Sequence, residues 1–327
     1  MQSLGAKTIA PTSLPVIEVS GLSKPDLSAR KHVAQQIRAA CLDKGFFYIS
    51  GHGISSELIE ATLAASRAFF ALPLEAKMKL DMKASKASRG YEPLQAQTLE
   101  AGTPPDLKEG FYIGTEANAN DPRVLAGEYK LGPNQWPLEL PEFHPLMNSY
   151  FREMGLLGAR LMRGIALSLD LNEDFFSDFC KNALKRLRLL HYPPQPATAA
   201  AGQKGVGAHT DFGGLTILLQ DPSGGLQVYD QALSSWIHAD PIEGTYVVNL
   251  GDLIARWTND VYRSTLHRVV NTSGRDRYSV PFFFHGNPQY VVSCLPNCCK
   301  HGQTPNYPTA TVQQHFEERY QRSYSTA

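Results

Sequence analysis

From about residue 184 to residue 293 the chain is a succession of short apolar runs, LRLLHY, LTILLQ, LQVY, TYVVNL, LHRVV, YSVPFFF and YVVS, each closed by a cluster of Gly, Pro, Asn or Asp. Runs this short and this closely punctuated predict strands joined by turns, and many in succession predict an antiparallel sandwich or barrel. Earlier in the chain the apolar residues recur at three- and four-residue steps instead. Residues 26–44 carry Leu27, Val33, Ile37, Ala40 and Cys41, and residues 141–170 carry Met147, Phe151, Met154, Leu157 and Leu161 on one side, so both read as helices. Residues 55–71 form a third, ending before Leu72-Pro73 because the residue preceding a proline disfavours the helical conformation. LPVIEV (14–19) and FFYI (46–49) are short strand candidates, the second opened by the helix-stopping Gly45. Helices first and strands second exclude a regular βαβ repeat and predict a β-core flanked by helices.

Residues 84–140 are rich in Gly, Pro and polar side chains, a long connection of the kind that covers active sites. The organisation expected is an N-terminal region, 14–125, packed on a core, 180–293, with flanking helices at 141–170 and 309–321, all in one compact unit that 327 residues can fill. Residues 1–13 read as a loose leader. Lys and Arg together number 31, as do Asp and Glu, and no basic run occurs, which argues against a nucleic-acid partner. No stretch of about 18 apolar residues is present, so no membrane span is expected. Five cysteines, an odd number without a CxxC pair, argue against a disulfide framework and for a reducing compartment. The expectation is a soluble cytoplasmic protein with a small-molecule partner and no obligate protein partner.

The chemistry concentrates in Gly207-Ala208-His209-Thr210-Asp211-Phe212-Gly213. Residues two apart on a strand share a side, so His209 and Asp211 can aim an imidazole and a carboxylate at one point. His267 lies in another strand-like segment, STLHRVV. Two histidines and one carboxylate form the facial set that binds iron(II) on one side of an octahedron and leaves three neighbouring positions open. Ten residues past His267 come Arg277 and, two further on, Ser279, again on one side of a strand. A planar, permanently charged guanidinium beside a hydroxyl is a receiver for a carboxylate. If His267 and Arg277 lie on adjacent strands of one hairpin, that receiver sits beside the metal.

The segments LRLLHYPPQP, GAHTDFGGLTILLQD, GGLQVYD, VVNLGDLIARWTND, STLHRVVN and RYSVPFFF resemble the 2-oxoglutarate- and iron(II)-dependent dioxygenases of the isopenicillin N synthase-like superfamily, of microbial and fungal type. LPVIEVSGL, DKGFFYISGHGI, FFALPLEAKMKL and RGYEPL resemble that family's N-terminal region, so the likeness runs through most of residues 14–290. The resemblance implies a mainly β fold with flanking helices, built on a double-stranded β-helix, or jelly roll. It implies iron(II) on His209, Asp211 and His267, 2-oxoglutarate and O2 as co-substrates, and the distal carboxylate of 2-oxoglutarate on Arg277 and Ser279. Tyr192 matches a family tyrosine that adds a hydrogen bond there, whereas Leu190 stands where many plant relatives carry Asn. The implied reaction is oxidation of a small, apolar or aromatic secondary metabolite, by hydroxylation, desaturation, ring closure or ring expansion, with release of succinate and CO2.

Phe212, Phe283, Arg188, Arg89 and Tyr91 are the substrate-side candidates, with core packing as the alternative for each aromatic. His52, His191, His285 and the pair Cys298-Cys299 read as structural, with lining the pocket as the lesser alternative for His191 and, since it follows the FFF run, facing the site as the lesser alternative for His285. Three other readings stay open at this stage. An oxidase of the same fold could dispense with 2-oxoglutarate, a catalytically silent jelly roll could bind a metabolite, and a zinc hydrolase could use the same ligands while leaving Arg277 and Ser279 without a task.

Overall fold

A computed structural model describes residues 14–195, 202–271, 273–299 and 302–324. The leader expected over residues 1–13 lies outside them. In chain order the elements are β1 (Val16–Glu18), α1 (Leu27–Asp43), β2 (Phe46–Ser50), α2 (Ser56–Phe70), α3 (Leu74–Met78), β3 (Gly90–Glu92), β4 (Glu109–Gly114), α4 (Pro122–Leu125), α5 (Phe143–Ser168), α6 (Ser177–Cys180), β5 (Leu184–Tyr192), β6 (Val206–His209), β7 (Leu215–Gln220), β8 (Leu226–Asp230), β9 (Ser235–His238), β10 (Tyr246–Leu250), α7 (Asp252–Trp257), β11 (His267–Val269), β12 (Arg277–Gly286), β13 (Val291–Val292), β14 (Ala310–Thr311) and α8 (Val312–Tyr324). Helical residues outnumber strand residues, so the architecture is mixed: a β-core with helices against it, and not the mainly β chain expected.

Local chemistry sets the first boundaries. Asp26 caps α1 by accepting from the backbone N–H groups of Ser28 and Ala29. At the other end Gly45 takes a φ of +65°, and a Cβ there would lie 2.1 Å from the Arg263 carbonyl oxygen. Only glycine fits that turn, which delivers the chain directly into β2.

Eight strands form one sheet in the order β1-β2-β10-β7-β12-β5-β4-β3, parallel only at β1–β2. A second sheet has the order β6-β11-β8-β9. Strand alternation splits the large sheet into two unlike faces. One face carries Ile49, Val248, Ile217, Val280, Phe282, Leu187, Leu189 and Phe111, which join Met147, Met154, Leu157 and Leu161 of α5 and Val33 and Ile37 of α1 in the main core. The other face carries Phe46, Val247, Leu190 and Tyr192, which join Val206, Leu226, Val228 and Val269 of the small sheet in a second cluster. The same face of the large sheet also carries Thr216, Asn249, Arg277 and Ser279.

The long connection over 84–140 is not bare loop. Its β4 pairs with β5 and its β3 with β4, so the N-terminal part of the chain extends the large sheet beyond β5. The helix expected at 309–321 is preceded by β14, which pairs with β13, and runs as α8. Among the described residues no helix is long and apolar enough to cross a membrane.

His191, at the end of β5, is held by carboxylates on both ring nitrogens: Glu109 at 2.7 Å from Nδ1 and Asp276 at 2.8 Å from Nε2. It also stacks on Tyr278, with ring centroids 4.8 Å apart. Burial lowers its pKa, but the bonds to Glu109 and Asp276 outweigh burial and the net shift is upward. A folded-state pKa above the unfolded value of about 6.5 stabilises fully below that value, and the gain fades as pH rises through the folded pKa. The stability difference between wild type and His191→Gln, measured by urea unfolding, is therefore expected to be widest near about pH 6 and to narrow toward alkaline pH. A difference that does not change with pH would contradict this.

Candidate metal centre and co-substrate cavity

His209 closes β6 and His267 opens β11, and the two are cross-strand partners with ring centroids 4.3 Å apart. Asp211 lies just past the end of β6, so strand alternation alone does not aim it. Its loop is clamped from the other side: the backbone N–H groups of Gly251, Asp252 and Leu253 bond the carbonyls of Gly214, Asp211 and Gly213. A Cβ on Gly251 would sit 2.2 Å from the Gly213 oxygen, so this close approach needs glycine. Asp252 tightens the same corner by accepting from Thr210 and Ser264 and pairing with Arg319 of α8.

The result is three inward-facing donors. Asp211 Oδ1 lies 3.9 Å from Nε2 of His209 and 3.9 Å from Nε2 of His267, and all three donor atoms fall within 4.8 Å of one another. Nδ1 of His209 bonds the Gly207 carbonyl at 2.8 Å and Nδ1 of His267 bonds the Thr265 carbonyl at 3.1 Å. A carbonyl can only accept, so each Nδ1 carries the proton and each Nε2 presents a lone pair. Oδ2 of Asp211 accepts from the Thr216 hydroxyl at 2.5 Å and the Asn249 amide at 2.7 Å, leaving Oδ1 for a metal. Burial, then the neighbouring His267, push His209 down to about 3. Burial pushes the Asp211 carboxyl up, but the two imidazoles and the bonds from Asn249 and Thr216 outweigh burial and hold it low. A neutral imidazole and an ionised carboxylate are the protonation states a metal requires. Two nitrogens and one oxygen on one side, without a fourth protein donor among the described residues, fit iron(II) rather than a closed tetrahedral zinc site.

Thr216 and Asn249 face each other on β7 and β10. Sequence reasoning passed over both; a lone polar residue inside an apolar strand, as in TYVVNL, was the available signal. Outer partners of metal ligands are worth about 10–100-fold in metal affinity. Asn249→Ala is expected to weaken iron(II) binding by roughly that factor, read by anaerobic calorimetry, with little change in thermal stability beyond the lost hydrogen bond.

Between the sheets lies a cavity lined by the triad together with Tyr192, Leu190, Asn249, Arg277, Ser279 and Phe283. Arg277 and Ser279 are each 1% exposed. Arg277 and His267 are not on one hairpin: β12 belongs to the large sheet and β11 to the small one, and they meet across the cavity. Ser279 stands opposite Leu190, and Arg277 opposite Tyr192, whose ring lies 4.7 Å under the guanidinium. The Arg277 Nε–H donates to the Gly224 carbonyl at 2.5 Å and one terminal nitrogen to Gln220 at 3.3 Å. Its other terminal nitrogen is buried and has no acceptor. A buried guanidinium with an unused donor is a strained arrangement for the protein alone and a ready receiver for an anion.

A second cavity adjoins the first at His209, Asp211, Arg188 and Phe283. Phe212 and Phe283 line it, as does His285, which stacks beside Phe283 at 5.6 Å. Arg188 reaches both cavities and is held by Tyr112 and Glu92. Arg89 and Tyr91 are not brought to the site. Arg89 bonds the carbonyls of Ala87 and Lys130, and the Tyr91 hydroxyl donates to Glu109. Gln97, Leu99 and Lys108 of the long connection, Arg186 of β5, and Phe316 and Tyr320 of α8 complete the walls. None of these six stood out in the sequence, because they come from segments whose approach to the core only the fold reveals. The five cysteines are all free.

Two family models match the chain: "non-haem dioxygenase in morphine synthesis N-terminal" over residues 14–139 and "2OG-Fe(II) oxygenase superfamily" over residues 183–286. The chain is 46% identical to the 2-oxoglutarate-Fe(II) type oxidoreductase hxnY of Emericella nidulans, across 98% of this chain and 93% of that protein. It is 40% identical to the 2-oxoglutarate-dependent dioxygenase citB of Monascus ruber, across 95% and 96% of the two chains. Among solved structures, a full-length Neurospora crassa protein in complex with alpha-KG and thymine superposes with a TM-score of 0.83 at 30% identity, covering 96% of this chain and 97% of that one. The donor set, the matched family models and these relatives agree, and the chain belongs to the 2-oxoglutarate- and iron(II)-dependent oxygenase superfamily, as an enzyme that oxidises small organic molecules.

Proposed function

We propose that His209, Asp211 and His267 hold iron(II), that Arg277, Ser279 and Tyr192 hold the distal carboxylate of 2-oxoglutarate in the cavity between the sheets, and that the organic substrate occupies the adjoining cavity beside Phe212, Phe283 and Arg188. The two sheets are then the two walls of a distorted double-stranded β-helix. The region 14–125 and the core 180–293 act as one unit, since Gln97, Leu99 and Lys108 from the first close the cavities of the second. The observation that carries the reading is the unused, buried donor of Arg277 on the same cavity wall as Ser279.

Iron(II) with 2-oxoglutarate and O2 supplies the oxidising chemistry: oxidative decarboxylation to succinate and CO2 coupled to removal of hydrogen from the substrate. The protein's own residues do the positioning. Thr216 and Asn249 fix which Asp211 oxygen faces inward, and Gly207 and Thr265 fix the imidazole tautomers. Arg277 and Ser279 set the depth at which the keto acid sits. Leu190, Leu218, Val206 and Leu226 exclude water around its carbon chain. The aromatic walls of the adjoining cavity favour an apolar or ring-bearing substrate, in keeping with the Neurospora neighbour, whose structure holds thymine beside alpha-KG. An intracellular location suits five unpaired cysteines.

The test is succinate formation from 2-oxoglutarate under air with and without iron(II). Iron-dependent succinate release, abolished by a chelator, is the expected result. Oxygen uptake that proceeds undiminished without 2-oxoglutarate would overturn the keto-acid assignment.

A further inference from the structure

The adjoining cavity has an electrostatic asymmetry that the reaction does not use. Arg186 and Arg188, two apart on β5, share the cavity face of the sheet, with their guanidinium carbons 5.6 Å and 4.3 Å from the Tyr112 ring centroid. Both line the chamber, and each buries an Nε–H that has no acceptor. Arg188 is partly neutralised by Glu92, at 3.4 Å. That carboxylate is already shared with Lys108, also at 3.4 Å, and with the Tyr112 hydroxyl. Among the described residues Arg186 has neither a hydrogen bond nor an ion pair, and the only carboxylate lining the chamber is the metal ligand Asp211. The chamber therefore holds a positive charge in excess.

The rest of the wall is aromatic. Phe283 stands directly opposite Arg186 across the β5–β12 pair, His285 stacks on Phe283 with their planes 16° apart, and Phe316 packs edge-on against both His285 and Phe212. His285 is kept neutral, since burial pushes it down to about 3. It adds no charge, and its buried Nδ1 is left without a partner. The keto acid is served separately by Arg277, which does not line this chamber.

We infer that the substrate is a small ring compound bearing a carboxylate, with the ring against Phe283 and His285 and the carboxylate on the guanidinium groups of Arg186 and Arg188. This rests on the proposed function only in taking the chamber beside the triad as the substrate site. A carboxylate there would pair with the guanidinium of Arg186, which lacks a carboxylate partner among the described residues, and cancel the excess charge. It would also fix which edge of the ring faces the triad, because the arginines on β5 and the metal ligands stand on different walls of the chamber.

The experiment is anaerobic calorimetry on protein saturated with iron(II) and 2-oxoglutarate, titrated with benzoate and phenylacetate and with their neutral amides, benzamide and phenylacetamide. Saturating keto acid keeps the probe carboxylates off the metal. The acids are expected to bind roughly 10- to 100-fold tighter than the amides, the range for hydrogen bonds to charged groups. Arg186→Gln should erase that preference and Arg186→Lys should keep part of it. Equal affinity for acids and amides, no binding of either acid, or a preference that survives in Arg186→Gln would overturn the inference, as would acid binding that simply competes with added 2-oxoglutarate. Iron and 2-oxoglutarate binding, measured on the same samples, separates this failure from failure of the proposed function and reports that the variants fold.

Discussion

His267→Ala is expected to abolish iron(II) binding at micromolar protein concentrations and, with it, all succinate formation. The imidazole is one of three convergent donors among the described residues, and its Nε2 is aimed by a buried bond from Nδ1 to the Thr265 carbonyl. Outer partners of such ligands already cost about 10–100-fold when removed, so deleting a ligand should exceed that range. The alanine variant should still fold. Its backbone pairings to His209 and Val228 on the flanking strands remain, and the lost side-chain contacts are chiefly the His209 ring, 4.3 Å between centroids, and the edge of Phe46, 5.2 Å. Circular dichroism beside an anaerobic iron titration reads both halves. Retention of one iron equivalent in the alanine variant would remove His267 from the centre.

Arg277→Met is expected to leave iron binding near wild type and to weaken 2-oxoglutarate binding by roughly 30- to 5,000-fold, the equivalent of about 2–5 kcal/mol for removing one partner of a buried, hydrogen-bonded charge pair. Methionine keeps an unbranched apolar stem in place of the arginine's while deleting the fork and, with it, the guanidinium's contact over the Tyr192 ring. The free protein should lose little stability and could gain some, because the buried guanidinium has a donor that nothing in the protein satisfies. A weaker co-substrate together with an unchanged or higher melting temperature separates a binding role from a structural one. A melting temperature that drops sharply with 2-oxoglutarate affinity intact would assign Arg277 to the fold.

The two histidines, the carboxylate and the Arg–Ser pair could be read from the sequence because their chemistry depends on residue type and on short spacing. Arg277 and Ser279 do share one side of β12, as alternation requires. Alternation was the wrong reason for Asp211, which sits beyond β6 and is aimed by backbone bonds from Gly251, Asp252 and Leu253, some forty residues downstream. Pairing across long separations is also what hid the distribution of the site over two sheets. His267 and Arg277 are ten apart in the chain yet face each other across a cavity, because the chain changes sheets between β11 and β12. Arg89 and Tyr91 belong to a segment that does reach the core, but β3 pairs at the sheet's outer edge, with β5 and β4 between it and β12, so the residues that arrive at the site from this region are Gln97, Leu99 and Lys108. The balance of helix and strand was misjudged for a simpler reason. The strand-rich stretch is conspicuous, whereas α5 alone, covering the core face of the large sheet, runs from Phe143 to Ser168.

The measurement that bears most directly on the centre is an anaerobic titration of 2-oxoglutarate into the protein with and without one equivalent of iron(II). Chelation at the triad and capture by Arg277 predict one binding site whose affinity rises markedly when the metal is present, and which His267→Ala and Arg277→Met each weaken, the first by removing the metal dependence and the second by removing the metal-independent part. Binding that is equally tight without iron, or that neither substitution alters, would contradict the placement of iron and co-substrate between the two sheets.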